Sequence, residues 1–194
     1  MFNDKYDLTQ AVLDGRKTMT RRVIHAENIP DDPEYGYAPN IDACCVFNED
    51  DVVAKSQYNL CEVVAIAQSY ETLANSGYLD KMMDGPLSMK KEYSGAGYKN
   101  KMFVKAELMP NHIKITNIRV ERLQDISDED CLREGVRKWE KDGNPLVPSY
   151  DFVNSPHGYA TPREAFAALI DKVSGRGTWK SNPMVFVCEF ELVD

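Results

Sequence analysis

A chain of 194 residues, 43% of them hydrophobic, is long enough for one compact domain with a real core, which excludes global disorder. No run approaches the roughly 20 apolar residues of a membrane-spanning helix, and the opening MFNDKYDL lacks the basic-then-apolar order of a secretory signal, so a cytoplasmic protein without a membrane partner is expected. The formal charge of −8, from 31 acidic and 23 basic residues, argues against a surface that grips duplex DNA along its length.

Charge is nevertheless segregated. Arg16, Lys17, Arg21 and Arg22 fall within seven residues, whereas residues 27 to 51 hold eight acids and no lysine or arginine, the pattern of a solvated acidic loop. Among the five cysteines there is no C-x-x-C pair, and Cys44 and Cys45 are adjacent. That spacing predicts reduced thiols rather than a disulfide framework or a closed zinc site. His25, His112 and His157 share no ligand spacing, so no metal and no cofactor is expected.

In chain order, Asp7 to Asp14 reads as a short helix with Leu8, Ala11 and Val12 on one face, and Gly15 follows where a helix commonly ends at positive φ. Met19, Arg21 and Val23 then alternate with Thr20, Arg22 and Ile24, the period of a strand. Residues 25 to 57 are weakly patterned and punctuated by prolines, with an edge strand beginning at Val52 and Val53. Glu62 to Gln68 (EVVAIAQ) predicts a buried strand. A helix over Ser69 to Asn75 gives way to a glycine-rich, methionine-bearing loop through Gly97.

The alternation of Met102, Val104, Ala106 and Leu108 predicts another strand, Pro110-Asn111 a turn, and Ile113 to Leu123 the returning strand. In that last strand the apolar phase slips from Ile113 and Ile115 to Ile118 and Val120, as a β-bulge would make it do. Ser127 starts a short acidic-fronted helix that Gly135 ends. Residues 138 to 160 read as a loop. Thr161-Pro162-Arg163-Glu164 is a capping box with proline at the first helical position, followed by an apolar face of Phe166, Leu169, Ile170 and Val173. Gly175 ends that helix, and Met184 to Leu192 forms the final strand, with Trp179 read as a packing residue beside that strand rather than a base-stacking platform. Five or six strands and three or four helices without strand–helix–strand regularity predict an α+β fold with a mostly antiparallel or mixed sheet.

GRKTMTRR, from Gly15 to Arg22, resembles the signature of the ASCH family, a branch of the PUA-like superfamily. Gly15, Lys17 and Arg21 match its Gly-x-Lys followed by an arginine four residues on. Gly15, Arg16, Lys17, Thr18 and Thr20 are similar to the Gly-Arg-Lys-Thr-x-Thr of the small bacterial N4-acetylcytidine amidohydrolases. Leu123, Ile126 and Ser127 resemble a second segment of those enzymes, which sets Glu134 on their glutamate, and Glu189-Phe190 matches a pair in their closing strand. The resemblance covers about half of the chain. The rest is longer than in the minimal enzymes, with insertions near 25–57, 69–100 and 138–160, and is similar overall to longer ASCH-type proteins of bacteria and phages, for which the family supplies no reaction.

The resemblance implies a single ASCH/PUA-like domain over 1–194: a small β-barrel or curved mixed sheet with flanking helices and long loop insertions. It also implies a catalytic set of Lys17 as proton acceptor, Thr20 as nucleophile and Glu134 as proton donor, with Arg16, Arg21 and Arg22 binding substrate. A threonine hydroxyl needs a base to become a nucleophile, and desolvation or neighbouring arginines can lower a lysine's pKa into that role. On a strand, positions 17 and 20 face opposite ways, so they converge only if Lys17 lies in the turn, and a water activated by Lys17 is the alternative nucleophile. Read without the motif, Lys17 is a solvated turn lysine, Thr20 an ordinary strand threonine and Glu134 a residue near a helix end. Two functions follow: amide hydrolysis of an N-acylated cytidine, or non-catalytic binding of a nucleotide or single-stranded RNA.

Overall fold

The computed structural model describes residues 2–26, 29–37, 43–49, 51–82, 95–140 and 148–194. Much of the glycine-rich loop, residues 141–147 of the expected 138–160 loop and part of the acidic stretch lie outside them. The chain is α+β, built on a curled antiparallel sheet with a few helices. It divides into two compact units: residues 3–62 with 114–192, and a smaller one of 1–2, 63–113 and 193–194.

The larger unit opens with helix α1 (Leu8–Leu13), which ends as expected: Gly15 sits at φ 71° and donates its backbone N–H to Val12. Strand β1 (Met19–Val23) pairs antiparallel with β9 (Met184–Leu192), Thr20 opposite Cys188 and Arg22 opposite Phe186. β9 lies between β1 and β6 (His112–Arg122), and the burial of consecutive residues shows that its first half is covered on both faces. Met184 to Cys188 are all buried rather than alternating. The predicted bulge in β6 is visible in its burial. Ile113 and Ile115 are buried, then Ile118 and Val120, and Thr116 and Asn117 are both exposed between them.

The weakly patterned stretch forms three strands, β2 (Glu34–Tyr37), β3 (Ala43–Asn48) and β4 (Asp51–Asn59), in that spatial order, and β4 is the edge strand expected at Val52 and Val53. The central one, β3, carries Cys44, Cys45 and Val46, all buried. A strand covered on both faces shows no alternation, and β2 is short and polar, so period-2 reasoning finds neither of these two. The region 138–160 is likewise not all loop. β7 (Arg137–Glu140) and β8 (Pro148–Asp151) pair antiparallel.

Helix α4 (Asp128–Arg133) is capped by Ser127, whose Oγ accepts from the Asp130 N–H. It packs on α5 (Pro162–Val173), capped by Thr161 through the Glu164 N–H at 3.1 Å. α5 buries Ala165, Phe166, Leu169 and Ile170, and Phe166 alone removes enough apolar surface to contribute about 2–3 kcal/mol. A last turn, α6 (Thr178–Ser181), sets Trp179 edge-on to Phe166 with ring centroids 6.1 Å apart, a packing role.

In the smaller unit two expectations fail. Only Val63–Ala65 is strand (β5), Val63 is 57% exposed, and Ile66 alone of EVVAIAQ is buried. Residues 102–108 are not a strand. Met102 and Phe103 are 68% and 63% exposed, and a 3-10 turn over Ala106–Leu108 brings Val104, Leu108 and Met109 onto the core instead of every second residue. That core gathers Tyr70 and Leu73 from α2 (Tyr70–Asn75), Leu79 from α3 (Tyr78–Met82), and Met109. The Tyr70 hydroxyl accepts from the Lys105 N–H at 2.9 Å.

Candidate functional site

Lys17 stands in the turn between α1 and β1, not on the strand. The turn is held from both sides. Lys17 donates its backbone N–H to Ala11, Thr18 donates to the Arg133 carbonyl at the end of α4, and Phe190 of β9 donates to Thr18. Gly135, directly after α4, makes the close approach possible. It sits at φ 108°, and a Cβ there would meet the Leu8 side chain at 2.9 Å and that of Lys17 at 3.7 Å. The Lys17 side chain therefore runs inward, 2% exposed, and its Nζ donates to the Glu134 carbonyl at 2.8 Å and to Glu134 Oε2 at 2.6 Å.

Glu134 has a second cation. Arg21 Nη1 donates to its Oε1 at 3.1 Å, so each carboxylate oxygen meets a different base. Arg21 is itself enclosed: its Nη2 reaches Glu121 at 2.6 Å and Asp130 at 3.1 Å, and its guanidinium carbon lies 5.9 Å from the centre of the Phe166 ring. Around this inner triplet runs a more open ring. Arg119 bonds Glu121, Asp130 and Glu189, and Arg133 bonds Asp130, Glu189 and the Thr18 hydroxyl. Lys17, Arg21, Arg119 and Arg133 are thus opposed by Glu121, Asp130, Glu134 and Glu189.

Burial is the largest influence on Lys17 and pushes its ammonium below the usual lysine range. The charge and hydrogen bonds of Glu134 oppose this, and Arg22 and Arg21 add to it. For Glu189, burial alone would raise the carboxyl, but the hydrogen bonds from Arg133 and Asn117 outweigh it and hold the acid below its ordinary value.

The structure therefore brings Lys17 and Glu134 into contact, with Arg21 beside them, and does not bring Thr20 to them. β1 turns Thr20 to the face opposite Met19 and Arg21, it is buried across from Cys188, and among the described residues no hydrogen bond links it to Lys17 or Glu134. Arg16 lies at the surface, paired with Asp14 at 3.0 Å and with Asp7 at 3.6 Å.

Arg22, on the Thr20 face of β1, borders an open cleft of about 480 Å³. Its lining includes the apolar Ile24 and Phe186 together with His25 and, from β4, Lys55 and Gln57. Arg21 also borders it but is committed to its carboxylates. No aspartate or glutamate is among the described lining residues.

Sequence reasoning set His25 aside for want of ligand spacing and did not single out Lys55, although the edge strand that carries it was expected from Val52 and Val53. It also missed Arg119, Glu121, Asp130 and Arg133. The signal for the first two is their i, i+2 spacing on the polar face of β6. Among the described residues no group of three or more histidines, cysteines or acids is placed to hold a metal ion, and no helix is long and apolar enough to cross a membrane. No protein-family model matches the chain, and neither does any curated protein or solved structure.

Proposed function

We propose that this chain is an ASCH-type module that binds a nucleoside-bearing ligand, a nucleotide or single-stranded RNA, in the cleft beside β1. The observation that carries the reading is the cleft itself. It is lined by the apolar Ile24 and Phe186 and the polar Arg22, His25, Lys55 and Gln57, and its volume of about 480 Å³, room for about one nucleotide, is in the range of small-ligand sites. The motif that suggested the family ends in this wall, since Arg22 closes GRKTMTRR. Fluorescence anisotropy with a labelled single-stranded RNA and with duplex DNA of the same length tests it. Binding of the single strand, weakened by salt and by Lys55→Gln, is expected, with little affinity for the duplex. Failure to bind either single-stranded RNA or any nucleoside or nucleotide would remove the reading.

The Lys17–Glu134 contact favours a second reading, hydrolysis of an N-acylated cytidine. In this reading Lys17, its pKa lowered by burial, takes a proton from the nucleophile, and Glu134, which contacts it, returns one to the departing amine. Water supplies hydroxyl to the acyl carbon and hydrogen to the amine as the C–N bond breaks. The enclosure of Lys17 and the orientation of Thr20 set this second. Incubation with N4-acetylcytidine decides it: Lys17→Ala should abolish turnover, while Thr20→Ala should leave turnover if water is the nucleophile.

A further inference from the structure

We propose that the loop from Lys99 to Lys105, in the smaller unit, docks this chain reversibly on an anionic lipid surface. Met102 and Phe103 enter the headgroup region, and the lysines beside them meet the lipid charge.

The loop is anchored at both ends by α2. Tyr70 donates its backbone N–H to the Gly97 carbonyl, Glu71 donates to that of Tyr98, and the Lys105 N–H donates to the Tyr70 hydroxyl. Gly97, at φ 87°, lies so close that a Cβ there would stand 2.9 Å from the Tyr70 ring and 3.3 Å from the Phe103 carbonyl. Between these ties Val104 packs on the unit's core, and the Lys101 ammonium donates to the Phe2 carbonyl at 3.2 Å. Met102 and Phe103 are turned outward instead, and no other large hydrophobic among the described residues is as exposed. Single exposed apolar residues are ordinary, but two neighbours held outward on an anchored backbone make one apolar tip.

The charge around the tip is positive in a chain that carries −8 overall. Lys99, Lys101 and Lys105 stand against one acid, Glu107, in the stretch 95–108. Glu107 meets Lys105 at 3.8 Å, with both side chains about two-thirds exposed or more, an ion pair that water competes with.

This combination favours a bilayer surface over other partners. Protein interfaces are depleted of lysine, and here lysines adjoin the apolar pair. Single-stranded nucleic acid stacks successive bases on aromatic rings, and Phe103 is the only exposed aromatic between 97 and 105. A lipid surface takes both groups. Apolar side chains enter the boundary between headgroups and acyl chains, while lysines bury their stems and keep the ammonium at headgroup level. Attraction to anionic lipid falls off within a Debye length, so the local lysines matter more than the distant acids. Such a tip lies on the bilayer and needs no membrane-crossing helix, none of which is found among the described residues. Even one covalent acyl chain gives only marginal attachment, so binding through this smaller tip is expected to be weak and reversible.

Flotation of the full chain with vesicles of phosphatidylcholine, alone or with about one third phosphatidylserine, tests this. Binding to the serine-containing vesicles should exceed that to phosphatidylcholine at least about tenfold at low salt, and high salt should remove most of the difference. Met102→Ser combined with Phe103→Ser should lower binding about tenfold without changing the melting temperature, because both side chains are exposed. Lys99→Gln combined with Lys105→Gln should cut the preference for the anionic vesicles about threefold or more. No binding to either vesicle, or binding indifferent to the serine pair, would overturn the inference. Equal binding to both compositions would overturn the anionic surface as the partner. Binding of oligouridylate that is lost with Phe103→Ser, without vesicle binding, would make the loop a base-stacking platform and overturn it too. So would a dimer that the same substitution abolishes, again without vesicle binding, since the loop would then be a protein contact.

Discussion

Lys17 and Glu134 illustrate how a buried pair differs from a surface one. An exposed ion pair contributes little, because water competes for both charges. Here Nζ and Oε2 are 2.6 Å apart with side chains 2% and 5% exposed, and neither charge can recover its hydration if the other is removed. Arg21 would still hold one oxygen of Glu134 after Lys17 is lost, but the other oxygen would face only packed side chains. Lys17→Met is therefore expected to cost about 3–5 kcal/mol in urea unfolding, the range for breaking a buried pair. Adding Glu134→Gln to that variant should recover part of the loss, since it removes the stranded charge, so the two changes together cost less than their sum. Additive costs would mean that the two groups are solvated independently. This experiment also bears on any turnover assay. A variant of Lys17 that has unfolded cannot report on chemistry, so its circular dichroism must be recorded beside its activity.

At the scale of the elements, one glycine sets how closely the turn carrying Lys17 approaches α4. Gly135 holds φ 108°, which residues with a Cβ rarely adopt, and the added methyl of Gly135→Ala would lie 2.9 Å from a Leu8 methyl group. The expected outcome is a loss of about 2–3 kcal/mol, from strain plus the displaced leucine. A drop in melting temperature of several degrees would register it, and Gly15→Ala offers the comparison. Gly15 also sits at positive φ, but a Cβ there meets nothing within 4 Å, so its cost is conformational strain alone and the smaller of the two. These turns were legible in the sequence because glycine and capping residues act locally: Gly15, Ser127, Gly135 and Thr161 punctuate helices where the spacing predicts. β1, β6 and β9 were legible too, through the spacing of their apolar residues. The failures are where local pattern and environment part. β3 is buried on both faces and so shows no alternation, while the apolar run of EVVAIAQ promised burial that the fold gives only to Ile66. Within the candidate site the motif led to Lys17, Arg21 and Glu134, but hydrophobic spacing says nothing of which face Thr20 takes against a distant helix, or that Lys55 arrives beside Arg22.

For the whole molecule, the titration of buried groups decides how stability varies above neutral pH. Burial pushes the thiols of Cys131 and Cys188 up to about 12, and that of Cys44 up to about 11, from an ordinary value of 9.0. In the unfolded chain these thiols begin to ionise near pH 9, while in the folded protein they keep their protons. The folded-state pKa is raised, so the contribution is complete below about pH 9 and is lost as pH climbs from there toward 11 and 12. Lys17 acts in the opposite sense. Its folded-state pKa is depressed, so the unfolded chain binds a proton that the folded one does not, and stability rises with pH until the ordinary lysine value of 10.5 is passed. Three thiols outnumber one ammonium, and the net expectation is a protein that loses stability steadily above pH 9. Urea midpoints measured between pH 7.5 and 10.5 check this, with Cys131→Ala and Cys188→Ala as the informative variants. Each lowers stability at neutral pH by leaving a small cavity, yet each should flatten the alkaline fall, because one titrating group has gone. An alkaline slope identical in the parent protein and both variants would show that the buried thiols do not set it.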